Sequence, residues 1–197
     1  MNGLLVGSVV VLWIVVMILS AVVFALTRQV GVLLERVAPA GALNTGKSLQ
    51  PGEDAPTFKL KTIAGEAIQV GGARGDGRSQ LVFFVSPSCS VCELLLPTIR
   101  EIAVSEREWL DIVLASDGDE ADHASFVARK GISTLPYVVS QPLGLGFRVA
   151  QLPHGALVDA EGRVAASGLV NSREHLESLI EAKQQGVGSI QEYLQKN

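Results

Sequence analysis

The stretch LVFFVSPSCSVCELLLP, Leu81 to Pro97, decides the fold of this 197-residue chain. Leu81 to Val85 form a continuous apolar run. A run apolar on both faces predicts a central strand of a parallel sheet, covered from both sides. Ser86-Pro87-Ser88 breaks the run, and Val91 to Ala103 then repeats with helical spacing. Cys89 and Cys92 therefore fall where a buried strand turns into a helix. The chain holds no other cysteine, so a separate framework of structural disulfides is excluded.

That position carries chemistry. Unpaired N–H groups and the positive end of the helix dipole stabilise an anion at a helix start. A thiolate is such an anion, and it is the reactive form of cysteine. Two residues separate the cysteines, so both lie on the first helical turn within disulfide reach. Cys89, nearer the helix mouth, is expected to be the exposed attacking thiol. Cys92, one turn in, is expected to be buried and to resolve a mixed disulfide. The competing reading is half of a zinc site. A zinc centre needs two further ligands. No second cysteine pair exists, and His123, His154 and His175 are scattered, so thiol–disulfide chemistry is preferred and no metal is expected.

The start of the chain is of another kind. Leu4 to Leu26 contains no charged residue, which is long enough to cross a bilayer as a helix. A cleaved signal peptide is the competing reading, but Met1-Asn2-Gly3 carries no Lys or Arg and the run is too long. Arg28, Arg36 and Lys47 follow it, so charge bias alone would leave the soluble domain in the cytoplasm. Val30, Leu33, Leu34 and Val37 recur at helical spacing and predict an amphipathic continuation to about Ala38. The expected organisation is an anchor over 1–27, an amphipathic helix and linker over 28–52, an α/β domain over 53–186 and a short C-terminal helix over 187–197. Within the linker, Gly41 to Ser48 matches the phosphate-loop pattern G-x-x-x-x-G-K-S. That cradle needs a strand before it and a helix after it, whereas Pro51-Gly52 follows here. It is read as chance, as is Arg74-Gly75-Asp76. The net charge of −4 and the lack of a basic stripe give no reason to expect a nucleic-acid partner.

The rest of the chain fits around the central strand. Pro51 to Val70 predicts a β-hairpin, with Phe58, Leu60 and Ile63 set apart by polar residues and Ala64-Gly65 at the turn. Asp111 to Ala115 predicts a second buried strand. Asp119 can cap a helix through Lys130 that turns Phe126 and Val127 to the core and leaves His123 in solvent. Thr134 to Val139 predicts a short strand. Leu143 to Phe147, Gly-rich and apolar, reads as an ordinary connecting loop or as part of a docking rim, the former preferred. Gly155 to Val158 and Arg163 to Ser167 flank a turn and predict a hairpin. His154, at its entrance, could tune the thiol or point away from it. Asn171 to Glu174 resembles a capping box for a helix that buries Leu176, Leu179 and Ile180 and stops at Gly186. Ser189 to Gln195 predicts a last short helix.

With these residues in view, the segment around Cys89 resembles the active site of the thioredoxin superfamily. Pro97 matches the proline that kinks the first active-site helix in that family. Leu152-Pro153 matches the cis-proline that faces the disulfide, where the backbone of the preceding residue docks the substrate as an added strand. PGEDAPTFKLKTIAGE resembles the opening of the membrane-anchored, TlpA-like branch. The whole chain is similar to the MauD-type accessory proteins of methylamine dehydrogenase, on RQVGVLLERVAPAGAL (Arg28 to Leu43), FVSPSCSVC (Phe84 to Cys92) and GVGSIQEYL (Gly186 to Leu194). Two positions depart from these patterns. Ser90 stands where MauD-type motifs carry proline, and Phe83 stands where many thioredoxins carry a buried acid.

The resemblance implies a thioredoxin-like α/β fold preceded by a single transmembrane helix, with the soluble domain in the periplasm. It implies a thiol–disulfide oxidoreductase in which Cys89 and Cys92 are catalytic and Leu152 and Pro153 dock the substrate. No cofactor is expected beyond the Cys89–Cys92 pair. The implied client is the cysteine-rich small subunit of methylamine dehydrogenase, with a membrane protein as redox partner. Three alternatives remain: a reductase for cytochrome c maturation, a client-binding chaperone that makes little use of the cysteines, and a copper carrier. Copper carriers of this fold space the cysteines by three residues and add a distal histidine, which argues against the last. A peroxiredoxin is disfavoured because its expected Thr and Pro are absent before Cys89.

Overall fold

The computed structural model describes residues 7–9, 12–23, 48–118 and 120–185. The chain divides into two units, Met1–Gly41 and Ala42–Asn197. In the first unit, residues 7–9 and 12–23 are helical. Its apolar side chains, Trp13 and Met17 among them, are exposed. Among the described residues no helix is long and apolar enough to cross a membrane. The ends of the uncharged run, the amphipathic continuation over 28–38, the phosphate-loop match up to Lys47, Asp119, Gly186 and the expected helix over 189–195 lie outside the described residues.

The second unit is built on a five-stranded sheet. Its elements in order are β1 (Phe58–Lys61), β2 (Ala67–Val70), β3 (Ser79–Phe84), α1 (Ser90–Ser105), β4 (Leu110–Ser116), α2 (Glu120–Lys130), β5 (Tyr137–Val139), α3 (Gln141–Gly146), β6 (His154–Val158), β7 (Val164–Leu169) and α4 (Arg173–Gln185). The strand order is β5-β4-β3-β6-β7. β3 is central, as its uninterrupted apolar run predicts, and every residue of it is buried. The sheet is mixed rather than parallel. β3 runs parallel to β4 but antiparallel to β6, and β6 and β7 close the sheet as an antiparallel hairpin.

Successive side chains of a strand point to opposite faces, so β3 serves two cores. Leu81, Phe83 and Val85 join Cys92, Leu96 and Ile99 of α1 and Leu176 and Leu179 of α4. Val82 and Phe84 join Val70, Leu143, Phe147 and Leu49 on the other face. Cys92, Leu95, Leu96, Ile99 and Ile102 are the buried stripe of α1, at the spacing that puts them on one side of a helix. Burial of each large apolar side chain contributes on the order of 2 kcal/mol. The β1–β2 hairpin forms in the predicted place, and Ile63 N donates to Tyr137 O at the β5 edge (2.9 Å). At the other edge Gly52 N donates to Val164 O and Val164 N to Glu53 O. The segment before β3 thus covers part of both exposed sheet edges, which would otherwise offer unpaired backbone groups to other chains. Gly162 closes the β6–β7 turn at φ 85°, and a Cβ there would meet the backbone of Ala73.

Several expectations need correction. His123 is not solvated; it is 2% exposed. Its Nδ1 lies 2.9 Å from the Tyr137 hydroxyl and its Nε2 2.9 Å from the carbonyl of Asp117. A carbonyl only accepts, so Nε2 carries the proton and Nδ1 accepts from Tyr137. The signal was present: His123 precedes Phe126 and Val127 by three and four residues, which is one helix face. Leu143 to Phe147 is not a connecting loop. Leu143 to Gly146 lie in α3, with Ser140 as its N-cap and Phe147 as its C-cap, and Leu143 and Phe147 are fully buried. The capping residue of α4 is Ser172, whose Oγ accepts from His175 N, while Asn171 N donates to His175 Nδ1. The capping pair is therefore Ser172 with His175, one residue later than Asn171 with Glu174. Strand β5 begins at Tyr137 and not at Thr134. Arg74 pairs with Asp76 and Asp111, and Arg78 also reaches Asp111, so this charged loop is tied to the start of β4.

Candidate active site

The site forms where β3 gives way to α1. Val85 N still donates to Ala115 O, and then Ser86 turns the chain by accepting from Cys89 N at 3.0 Å. The Ser86 Oγ also accepts from Ser88 N and lies 3.0 Å from Ser88 Oγ. Cys89 follows in extended conformation as the N-cap of α1. Its Sγ takes the role a serine or aspartate oxygen usually plays and accepts from Cys92 N at 3.1 Å. One of the orphan donors of the helix is thus satisfied by the sulfur itself. When Cys89 is released as a thiolate, the same N–H and the helix dipole stabilise its charge.

Cys89 and Cys92 are joined as a disulfide with their Cα atoms 5.2 Å apart. Cys92 has no exposed surface, and Cys89 is half-buried. A reagent can reach the first sulfur and not the second. Phe83, at the position of the acid found in many thioredoxins, is fully buried in the same cluster as Cys92. No carboxylate therefore lies under Cys92 at that place. Glu93, the acidic residue in the first turn of α1, instead reaches sideways to Lys130 of α2 at 2.7 Å.

Pro97 sits inside α1 on its exposed side. It lacks the N–H that would reach the carbonyl of Glu93, and the helix continues past it to Ser105. The Leu152-Pro153 peptide bond is cis. Leu152 is half-buried and packs against both faces of the core, sharing the α1 side with Cys89. Pro153 O accepts from Val170 N, which fixes the loop at the mouth of β6. His154 is turned away. It is paired with Phe84 across β3 and β6, on the face opposite Phe83 and Cys92. Its Nε2 lies 3.0 Å from Ser167 Oγ, and burial pushes its imidazole down to about 4. Among the described residues no cluster of three or more His, Cys, Asp or Glu could hold a metal. What the arrangement can do is exchange one sulfur–sulfur bond whose accessible end is Cys89. The sequence reading missed the outward face of α1, where Val91 and Leu94 stand exposed. The helical period set by Cys92, Leu95 and Leu96 would have located that face.

No family model matches the chain. Nearly the whole chain nevertheless aligns with known proteins. It is 39% identical over 194 residues to the methylamine utilization protein MauD of Paracoccus denitrificans, covering 98% of this chain and 96% of that protein. It is 40% identical over 190 residues to the MauD of Methylorubrum extorquens, covering 96% and 92%. The thiol-disulfide oxidoreductase ResA of Bacillus anthracis is 27% identical over 139 residues, covering 68% and 79%. Solved structures share the fold. A Chlorobium tepidum protein described as a thiol:disulfide interchange protein superposes with a TM-score of 0.61 at 18% identity, covering 72% of this chain and 100% of that one. The thioredoxin domain of a Bacteroides vulgatus thiol-disulfide oxidoreductase does so with a TM-score of 0.58 at 21% identity, covering 71% and 99%.

Proposed function

This chain belongs to the MauD family and is a thioredoxin-like thiol–disulfide oxidoreductase; from that premise we propose that it drives disulfide formation or isomerisation in the small subunit of methylamine dehydrogenase. The observation that supports this most is the placement of the two sulfurs. Cys89 is the partly exposed cap of α1 and Cys92 is wholly buried beside it. In the oxidising direction a client thiolate attacks Cys89 Sγ. A mixed disulfide forms and Cys92 leaves as the thiolate. A second client thiolate then attacks the client sulfur of that bond. The client gains a disulfide, Cys89 and Cys92 are left reduced, and the client's two protons and two electrons have moved. The pair itself carries the redox equivalent, so no further cofactor is invoked. A membrane redox partner returns it to the disulfide.

The docking role falls to Leu152 and Pro153, whose loop meets the same hydrophobic cluster as Cys89. Pro97 serves the geometry of α1 and takes no part in the exchange. The uncharged run Leu4 to Leu26 would hold the protein in the cytoplasmic membrane as a single span, with the oxidoreductase domain in the periplasm. Family likeness supports that orientation against the weak charge bias of Arg28, Arg36 and Lys47.

The test is a covalent trap in the native host. In a Cys92→Ala variant the lone Cys89 thiolate enters from the reverse direction, attacking a disulfide of the client and displacing one client thiolate. Without Cys92 to attack the mixed disulfide, the partner stays on Cys89 and can be identified by mass. Recovery of the methylamine dehydrogenase small subunit is the expected result. Recovery of an apocytochrome instead would redirect the protein to cytochrome c maturation and overturn the proposed pathway. Normal maturation by a Cys89→Ser, Cys92→Ser double variant would favour a chaperone that does not use its sulfurs.

A further inference from the structure

His154 is the first residue after Pro153 and opens β6. It is 3% exposed, and Ser167 of β7 is 6% exposed. Both share a sheet face with Phe84 and Ala156, which belong to an apolar cluster. Burying a polar group costs stability unless it is bonded. Here the bond is present: His154 Nε2 lies 3.0 Å from Ser167 Oγ. The imidazole also meets the ring of Phe84 edge on, with centroids 6.2 Å apart. Phe84 is the last residue of β3, five before Cys89. One buried side chain thus touches the strand that leads to the reactive sulfur and directly follows the cis peptide bond.

The loop before it is thinly supported. Ala150 and Gln151 are exposed, and a cavity of about 330 Å³ borders them, lined also by Gln50, Pro51, His154 and Ser167. The backbone of Leu152 must hold one position if a client strand is to pair with it. Its side chain packs on both clusters, and Pro153 O accepts from Val170 N. His154 adds a directional hold, because a hydrogen bond weakens steeply as its angle departs from linear. A loop that is already ordered costs a client less to dock.

We propose that His154, through its hydrogen bond to Ser167, is a positioning residue that fixes the Leu152-Pro153 loop for a client's strand and takes no part in the exchange of sulfur. This rests on the reading of that loop as the docking element and names what holds it in place.

The experiment uses the full chain, in detergent, carrying Cys92→Ala and fully reduced. A short peptide is prepared with its cysteine bonded to thionitrobenzoate, in an ordinary form and in a form N-methylated on both sides of the cysteine. The Cys89 thiolate attacks the peptide sulfur, the protein–peptide disulfide forms, and thionitrobenzoate leaves with the electron pair and is read by its colour. Each rate is divided by the rate with free dithiobis-nitrobenzoate, which needs no docking and reports the reactivity of Cys89 itself. His154→Leu is expected to lower the ratio for the ordinary peptide about fivefold, the factor that one net hydrogen bond carries. Ser167→Ala should lower it as much, and the double variant no further, since both remove the same bond. His154→Gln, whose amide can stand in for Nε2, should keep most of the ratio. Val164→Ala, at the start of β7 in the same core, should leave it as it was. If His154→Leu does not fold, Ser167→Ala carries the test, because it removes the bond and keeps the ring. An unchanged ratio in Ser167→Ala would overturn the role of the pair and leave thiol exchange intact. Equal falls for peptide and free reagent would overturn it too, because the pair would then act on Cys89 or on the whole fold. If the parent treats the ordinary and N-methylated peptides alike, docking by strand addition falls, and the positioning role with it. Failure of both peptides and of the free reagent to react would instead overturn the thiol-exchange reading.

Discussion

The two faces of the central sheet are closed by different means. One face lies under α1 and α4, long helices whose buried positions recur with a regular period: Leu95, Leu96, Ile99 and Ile102 in the first, Leu176, Leu179 and Ile180 in the second. The other face is closed by short pieces: the β1–β2 hairpin, the six-residue α3, Phe147 and Leu49. The reactive sulfurs belong to the first face, and the neutral, buried His154 belongs to the second. The lesson is a division of labour. The regular face presents and supports the disulfide, and the irregular face completes the core.

That division can be broken by substitution. The largest effect falls on the sulfurs: Cys89→Ser should abolish exchange with any disulfide substrate, a loss of at least about a hundredfold, measured as reduction of a peptide disulfide. Next come the two cores. Phe147→Ala, on the irregular face, should cost about 3–5 kcal/mol and Ile99→Ala, in the buried stripe of α1 that Cys92 begins, about 2–5 kcal/mol, both read from urea unfolding. If the faces are separate in function, folded Phe147→Ala protein exchanges thiols at the parental rate and Ile99→Ala protein does not. Equal loss of exchange in both would erase the distinction.

A pH dependence follows from the second face. Burial holds the His154 imidazole at about 4 against an ordinary 6.5. The unfolded chain therefore takes up a proton near 6.5 that the folded chain refuses until about 4. The stabilisation is complete above the upper value and is lost as pH falls toward the lower one, by on the order of 3 kcal/mol. Urea midpoints for the parent should drop across that window, and those for His154→Gln should drop less. An identical drop in both would show that the histidine titrates normally. The smallest effect concerns the Glu93–Lys130 pair, one-third exposed at each end. Lys130→Met should cost no more than about 1 kcal/mol, and less at high salt. A larger, salt-insensitive loss would mean that α1 and α2 are held together by this contact rather than by their apolar stripes.

Legibility in the sequence followed the same division. The continuous run Leu81 to Val85, the helical spacing after Cys92 and the hairpin around Asp159 to Gly162 are patterns long enough to repeat or to break sharply, and each gave the right element. The cysteine pair and Pro153 could be placed by motif. α3 could not, because six residues with two glycines carry no helical period, and Pro142, two residues after its N-cap Ser140, reads equally well as part of a loop. His123 was misread because histidine is commonly exposed; only its spacing from Phe126 and Val127 reveals the buried face. The antiparallel return of β6 was hidden for another reason: strand direction depends on how the chain crosses the sheet, and Leu143 to Phe147 held no sign of where it would lead.

The central claim is that Cys89 is the sulfur that exchanges and Cys92 the one that is sheltered. Brief alkylation of the reduced full chain with iodoacetamide, followed by peptide mass mapping, tests it most directly. The burial of Cys92 and the half-exposure of Cys89 predict that the label appears first on Cys89, with Cys92 modified only after unfolding. Equal labelling of both, or earlier labelling of Cys92, would contradict the assignment of roles.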